Sequence, residues 1–95
     1  MRLPSHPGRL LKAEMAARNL SANRLAMDIA VPAGRISDIV NGRRGITPDT
    51  ALRLGIYFDT GPELWLTMQA KYDVALLQRD HGAAIAGEIR KPRAA

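Results

Sequence analysis

Arg35, Ser37 and Asp38 fall within one turn of a predicted short helix, and Arg43 and Arg44 follow the glycine at its end, Gly42. These residue types at this spacing suit recognition of a nucleic acid. Arg35 can fork onto guanine O6 and N7 or hold a phosphate. Ser37 can meet a base or the backbone, and Asp38 can accept from cytosine N4. Ala33 and Gly34 just before them permit close approach, and Ala33 can meet a thymine methyl group. Arg43 and Arg44 suit phosphates rather than bases. Asn41, and the first turn of the preceding helix at Ala22 and Asn23, can hold the adjacent backbone. An aspartate facing DNA loses affinity through phosphate repulsion, so Asp38 implies a specific role: a base contact, or an ion pair that orients a neighbouring arginine.

These side chains need two short helices with a tight connection. Ser21 caps the first, which runs to Ile29 or Ala30 with Leu25, Ala26 and Ile29 on one face. The second starts near Pro32 or Ala33 and ends at Asn41-Gly42, where Gly42 supplies the left-handed closing residue. With Ile36, Ile39 and Val40 turned inward, helical spacing leaves Ala33, Gly34, Ser37, Asp38 and Asn41 outward, flanked by Arg35. Two helices joined at Ala30-Val31-Pro32, the second one small and polar outside, form the layout of a helix-turn-helix.

Three further helices are predicted around this pair. One opens at Ser5 or His6, with Pro7 at its first position, and buries Leu10, Leu11 and Met15 before ending at about Arg18. Thr47-Pro48-Asp49 starts another, whose expected face is Ala51, Leu52, Leu54, Tyr57 and Phe58. Thr60-Gly61-Pro62-Glu63 opens the last, which is expected to reach about Gln78. That helix is apolar on more than one side: Leu64, Trp65, Leu66, Met68, Tyr72, Val74, Ala75, Leu76 and Leu77 cannot all face one small core. The excess suggests a dimer seam or partner groove, with broad core packing as the alternative. The expectation is an all-α, five-helix domain over residues 1–78 with a C-terminal helical extension over 79–95, partly disordered at its end.

Composition sets the bounds. Ninety-five residues suffice for one domain with a modest core. The absence of cysteine removes disulfides and thiolate metal sites. His6 and His81 lie far apart and read as capping or surface residues, so neither a metal nor a cofactor is expected. No apolar run approaches a membrane span and the N-terminus lacks a signal-peptide core, so a cytoplasmic protein is expected. The net charge is +5, distributed as +3 over residues 1–20, +2 over 21–45, −2 over 46–78 and +2 over 79–95. Arginine supplies 11 of the 14 cations, the side chain best matched to phosphate and guanine. A basic first half beside a mildly acidic stretch suggests one face for nucleic acid and another for a protein. Catalysis finds no footing. Ser5, Ser21 and Ser37 read as caps or groove residues, Asp59 and Glu63 flank the Thr60 cap, and no glycine-rich phosphate loop exists.

HPG at 6–8, LSANRLAMDIAVPAGRISDIVNGRRGIT from Leu20 to Thr47, DTALRL at 49–54 and FDTGPELWLTMQAKYDV at 58–74 together resemble HigA-type antitoxins. These belong to the lambda-repressor-like (Xre/Cro) helix-turn-helix class, and the resemblance spans residues 6 to about 76. It implies a homodimer that binds a palindromic double-stranded DNA operator in its own promoter. It also implies a protein partner, a RelE-like ribonuclease toxin of the HigB type, which it silences. Base reading falls on the third helix, at Ala33, Gly34, Arg35, Ser37 and Asp38. Dimerisation falls on the fifth helix and beyond, with Trp65, Met68, Tyr72 and Leu76 as the expected seam. Where similar proteins carry glutamine after the capping serine, this chain has Ala22; where they carry a bulkier polar residue, it has Gly34.

The leading expectation is therefore an antitoxin and autorepressor. The alternative is a stand-alone Xre-family repressor without a toxin. A third class is a protein-interaction module that has kept the fold and lost DNA binding.

Overall fold

The computed structural model describes residues 2–93, which form five helices and no strand. They are α1 (Pro7–Ala17), α2 (Ala22–Ile29), α3 (Ala33–Val40), α4 (Pro48–Tyr57) and α5 (Glu63–Glu88). Side-chain acceptors start three of them. His6 Nδ1 accepts from the Gly8 amide at 2.9 Å, Ser21 Oγ from Arg24 at 3.0 Å, and Thr47 Oγ1 from Thr50 at 3.4 Å. Each bond satisfies an amide that the first helical turn leaves without a partner.

The first four helices end alike. A left-handed residue follows each one, Asn19, Ala30, Gly42 or Asp59, with φ of 53°, 59°, 72° and 58°. In each case the next amide reaches back five residues: Leu20 to Met15 (2.9 Å), Val31 to Ala26 (2.9 Å), Arg43 to Asp38 (2.8 Å) and Thr60 to Gly55 (3.1 Å). This Schellman closure reverses the chain within two or three residues, allowing short helices to fold back on one another. Glycine occupies the left-handed position only after α3, as the sequence suggested. Asn19 and Asp59 are tolerated alternatives, while Ala30 has no side-chain compensation for its conformation.

The core gathers Leu11 and Met15 of α1, Leu25, Ala26 and Ile29 of α2, Ile36 and Ile39 of α3, Ile46, Ala51 and Leu54, and Phe58 and Trp65. Most of the apolar stripes read from helical period face inward as expected. Leu52 does not: it is 52% exposed, one position off the buried Ala51–Leu54 edge of α4. Leu10, Val40 and Tyr57 lie half-buried at the rim.

Two expectations for α5 are corrected. Trp65 is wholly enclosed by its own chain, near Phe58, and its indole N–H donates to Thr60 Oγ1 at 2.9 Å. It anchors α5 to the body and has no surface to offer a second copy, so it leaves the candidate seam. A helix apolar on several sides carries no periodic signal for which side turns inward, hence the error. The helix also runs ten residues past Gln78 to Glu88, giving the molecule a length of 55 Å against a width of 25 Å. Alanines 83, 84 and 86 favour helix there and no proline intervenes before Pro92. The disorder expected at the extreme C-terminus falls partly on Ala94 and Ala95, which lie outside the described residues.

Candidate nucleic-acid interface

Ile36 and Ile39 are completely buried, and they fix the roll of α3. With that side pinned against α1 and α2, the opposite side must face solvent. Ala33, Gly34 and Asn41 are exposed, while Arg35, Ser37 and Asp38 are half-exposed. The structure thus brings six of the nine sequence-derived candidates onto one short helix and its cap. Small side chains dominate the first turn, leaving the α3 backbone accessible to a groove.

The C-terminal end of α3 is built around Asp38. Arg43 Nε donates to Asp38 Oδ1 at 3.4 Å, and Arg44 Nε lies 4.0 Å from Asp38 Oδ2. Of the two roles considered for this carboxylate, the geometry favours the ion pair. The Schellman turn at Gly42 brings both guanidinium groups back over the last turn of α3, and Asp38 meets them there. Both arginines stay more than half exposed. The Asn41 side chain turns back on its own helix, donating from Nδ2 to the Ser37 carbonyl at 2.9 Å. Asn23 stands apart, exposed on the first turn of α2.

Arg35 opens onto a polar cleft between α3 and the start of α4, lined also by Arg44, Gly45, Thr47, Asp49 and Arg53. The Arg53 hydrogen bond, and then the charges of Arg53 and Arg35, hold the Asp49 carboxyl below the usual carboxylate range. Three arginines therefore converge beside the N-terminus of α4, a concentration of positive charge next to the α3 surface.

Two residues of this region escaped the sequence reading. Arg53 donates from Nε to Asp49 at 2.8 Å and from Nη1 to the Ile29 carbonyl at 2.9 Å, binding α4 to the end of α2. The i, i+4 spacing of Asp49 and Arg53 signals the first contact, but no local pattern signals the second. Gln69, buried in α5, accepts from the Ile46 amide through Oε1 at 2.8 Å. Behind the interface, Tyr57 donates to Asp28 at 2.8 Å, which raises the pKa of its hydroxyl above the ordinary value, and Asp28 also pairs with Arg24.

Among the described residues no cluster of His, Cys, Asp and Glu is placed to hold a metal ion, and no helix is long and apolar enough to cross a membrane. The α2–turn–α3 pair, its buried isoleucines and its exposed small-residue face define a helix-turn-helix protein. The helix-turn-helix family pattern, HTH_3, matches residues 11–65. The chain is 45% identical over 76 residues to virulence-associated protein I of Dichelobacter nodosus, covering 79% of this chain and 70% of that protein. It superposes with a TM-score of 0.89 and 41% identity on an addiction module antidote protein of the HigA family from Coxiella burnetii, covering 96% of this chain and all of that one. The Pseudomonas aeruginosa antitoxin HigA, solved with the higBA promoter, gives 0.88 and 37% over 95% of this chain and 99% of that one. The chain belongs to the helix-turn-helix family, in its HigA-like branch.

Proposed function

We propose that this protein is a homodimeric autorepressor that binds a palindromic operator in its own promoter and neutralises a RelE-like toxin of the HigB type. The observation that carries the DNA-binding part is α3 itself: an exposed small-residue face closed by Asp38-tethered Arg43 and Arg44, on a fold shared with an antitoxin solved on promoter DNA. Arg35, Ser37, Ala33 and Gly34 are the proposed base-side contacts; Arg43, Arg44, Asn41 and Asn23 are the proposed backbone-side contacts, with Asp38 orienting Arg43 and Arg44. A two-fold dimer reads half-sites about one helical turn, ~34 Å, or a multiple apart. Repression is then steric, through occlusion of the promoter.

Support for the dimer comes from α5. Val74, Leu77 and Ile85 recur at helical spacing and are exposed on a helix about 39 Å long, at ~1.5 Å per residue. A stripe of this kind on a projecting helix is the natural surface for a second copy. Met68, Tyr72 and Leu76 lie half-buried on the body-facing side of α5, roughly opposite that stripe at 3.6 residues per turn, and are the secondary candidates for a contact between copies.

The test is co-expression with the adjacent gene, purification by a tag on one partner, and mobility shift with the upstream promoter fragment. A co-purifying small basic protein together with a specific shift is the expected result. A shift without a partner makes the chain a stand-alone repressor. A partner without a shift makes it an interaction module that has lost DNA binding.

A further inference from the structure

Between the end of α3 and the cap of α4, residues 41–47 carry both exposed arginines. The loop is closed locally at each end, by the Arg43-to-Asp38 backbone bond and by the Thr47 cap. At Ile46 it is held from a distance. The Ile46 side chain is buried in the core, and its amide donates to Gln69 Oε1 across 23 positions of sequence.

Gln69 is only 8% exposed, and both ends of its amide are engaged. Its Nε2 donates to Asp73 Oδ1 at 2.9 Å. An ionised carboxylate only accepts, so Asp73 dictates which way the Gln69 amide faces and leaves Oε1 as the acceptor for the loop. The approach also depends on Gly45, where an added Cβ would lie 3.1 Å from the Gln69 amide carbon. A side chain at position 45 would require the Gln69 amide or the loop to give by a few tenths of an ångström. Asp73 itself is exposed and borders the cleft that Arg43, Arg44, Tyr72 and Leu76 also line.

We infer that Gln69 is a positioning residue for DNA binding: oriented by Asp73, it fixes the 43–46 backbone so that Arg43 and Arg44 stand where phosphates meet them. A surface carboxylate on α5 is thereby two hydrogen bonds from the phosphate-facing loop, and operator affinity depends on a helix outside the α2–α3 reading pair. This inference rests on the proposed phosphate role of Arg43 and Arg44.

The test uses the full chain and a duplex from the region immediately upstream of its gene, with affinity measured by fluorescence anisotropy across a salt series. Gln69→Met keeps the length of the side chain and removes both hydrogen bonds. It is expected to weaken binding about five- to tenfold, the range for losing an ordinary hydrogen bond. The slope of log affinity against log salt should shrink by about one phosphate contact, and the Ile46 amide should exchange faster with solvent. Adding Arg43→Ala and Arg44→Ala to Gln69→Met should cost less than in the wild-type chain, because the arginines are already displaced. Asp73→Ala should act in the same direction, and Asp73→Asn, which keeps an acceptor for Nε2, should restore binding.

A strictly additive cycle with an unchanged salt slope overturns the inference, since Gln69 would then serve the fold alone. Should Gln69→Met not fold, the same cycle on the exposed Asp73→Ala decides the matter by the same criterion. If the double arginine variant leaves the salt slope of the wild-type chain unchanged, the phosphate role fails and the inference falls with it. If that slope drops while the Gln69 and Asp73 cycles are additive, the inference alone is refuted.

Discussion

The guanidinium of Arg53 donates to the backbone carbonyl of Ile29 at 2.9 Å while its Nε holds Asp49 at 2.8 Å. One side chain thus ties the last turn of α2 to the first turn of α4, with α3 suspended between them. The planar fork suits this bridge because it presents several donors in fixed directions, which an ammonium does not. Arg53→Ala is therefore expected to lower Tm by a few degrees in calorimetry, with Arg53→Lys recovering little of the loss.

That bridge has a pH signature. Arg53 depresses the Asp49 carboxyl in the folded state, so ionised Asp49 favours folding at neutral pH. The contribution is fully present above the unfolded pKa and fades as pH falls through the lower folded value. The Tm gap between wild type and Arg53→Ala should hold steady from about pH 7 to 5 and narrow below about pH 4, near the ordinary aspartate pKa, leaving the part due to the Ile29 bond. A gap that stays constant into acid would assign the effect to the Ile29 bond alone.

Ala30 occupies the left-handed region at the turn between α2 and α3, with φ of 59°. Its Cβ is disfavoured there, and glycine relieves the strain at the expense of unfolded-state entropy. Ala30→Gly should stabilise the protein by about 0.5–1 kcal/mol in chemical denaturation, since the left-handed penalty exceeds the entropic one. Loss of stability would show that the turn is held by something other than its backbone conformation.

Arg35 and Asp38 separate base reading from charge. Arg35→Ala is expected to cost about 1–3 kcal/mol on the operator and to relax preference at one base pair; an equal loss on random duplex would make it a phosphate anchor. Asp38→Asn removes a negative charge on the proposed DNA face and loosens the hold on Arg43 and Arg44. Affinity for random duplex should rise and the operator-to-random ratio should fall, both measurable in one competition assay.

Leu77 and Ile85 lie on the exposed stripe of α5. Leu77→Glu with Ile85→Glu should yield a monomer in light scattering after size exclusion, with the helical circular dichroism largely kept. Operator affinity should fall with it, because a two-fold site then meets only one reader at a time. An intact dimer would move the seam elsewhere.

Much of the helix-turn-helix was legible before the structure because its signals are local. Ser21 and Thr47 announce caps, Gly42 announces a left-handed stop, and the inward stripe of Ile36 and Ile39 follows from a period of 3.6 residues. The same reasoning weakened where period gave no direction. Trp65 was expected at a seam and lies in the core, Leu52 was expected inside and faces solvent, and α5 outran its expected end. At Asp38 the sequence offered two roles, and the position of Arg43 over the last turn of α3, which only the structure shows, favours the ion pair.

By itself, the sequence determined where the five helices start, where the first three stop and which side of α2 and α3 turns inward, since these depend on residues within a few positions of each other. Tertiary structure decided how those helices are held as a reading surface. The Ile46–Gln69 and Ile29–Arg53 hydrogen bonds join residues 23 and 24 positions apart. Such contacts depend on how whole helices pack, and no spacing within one helix encodes them. The arginines could be read from the chain, but the frame that aims them exists only once α4 and α5 have closed against the core.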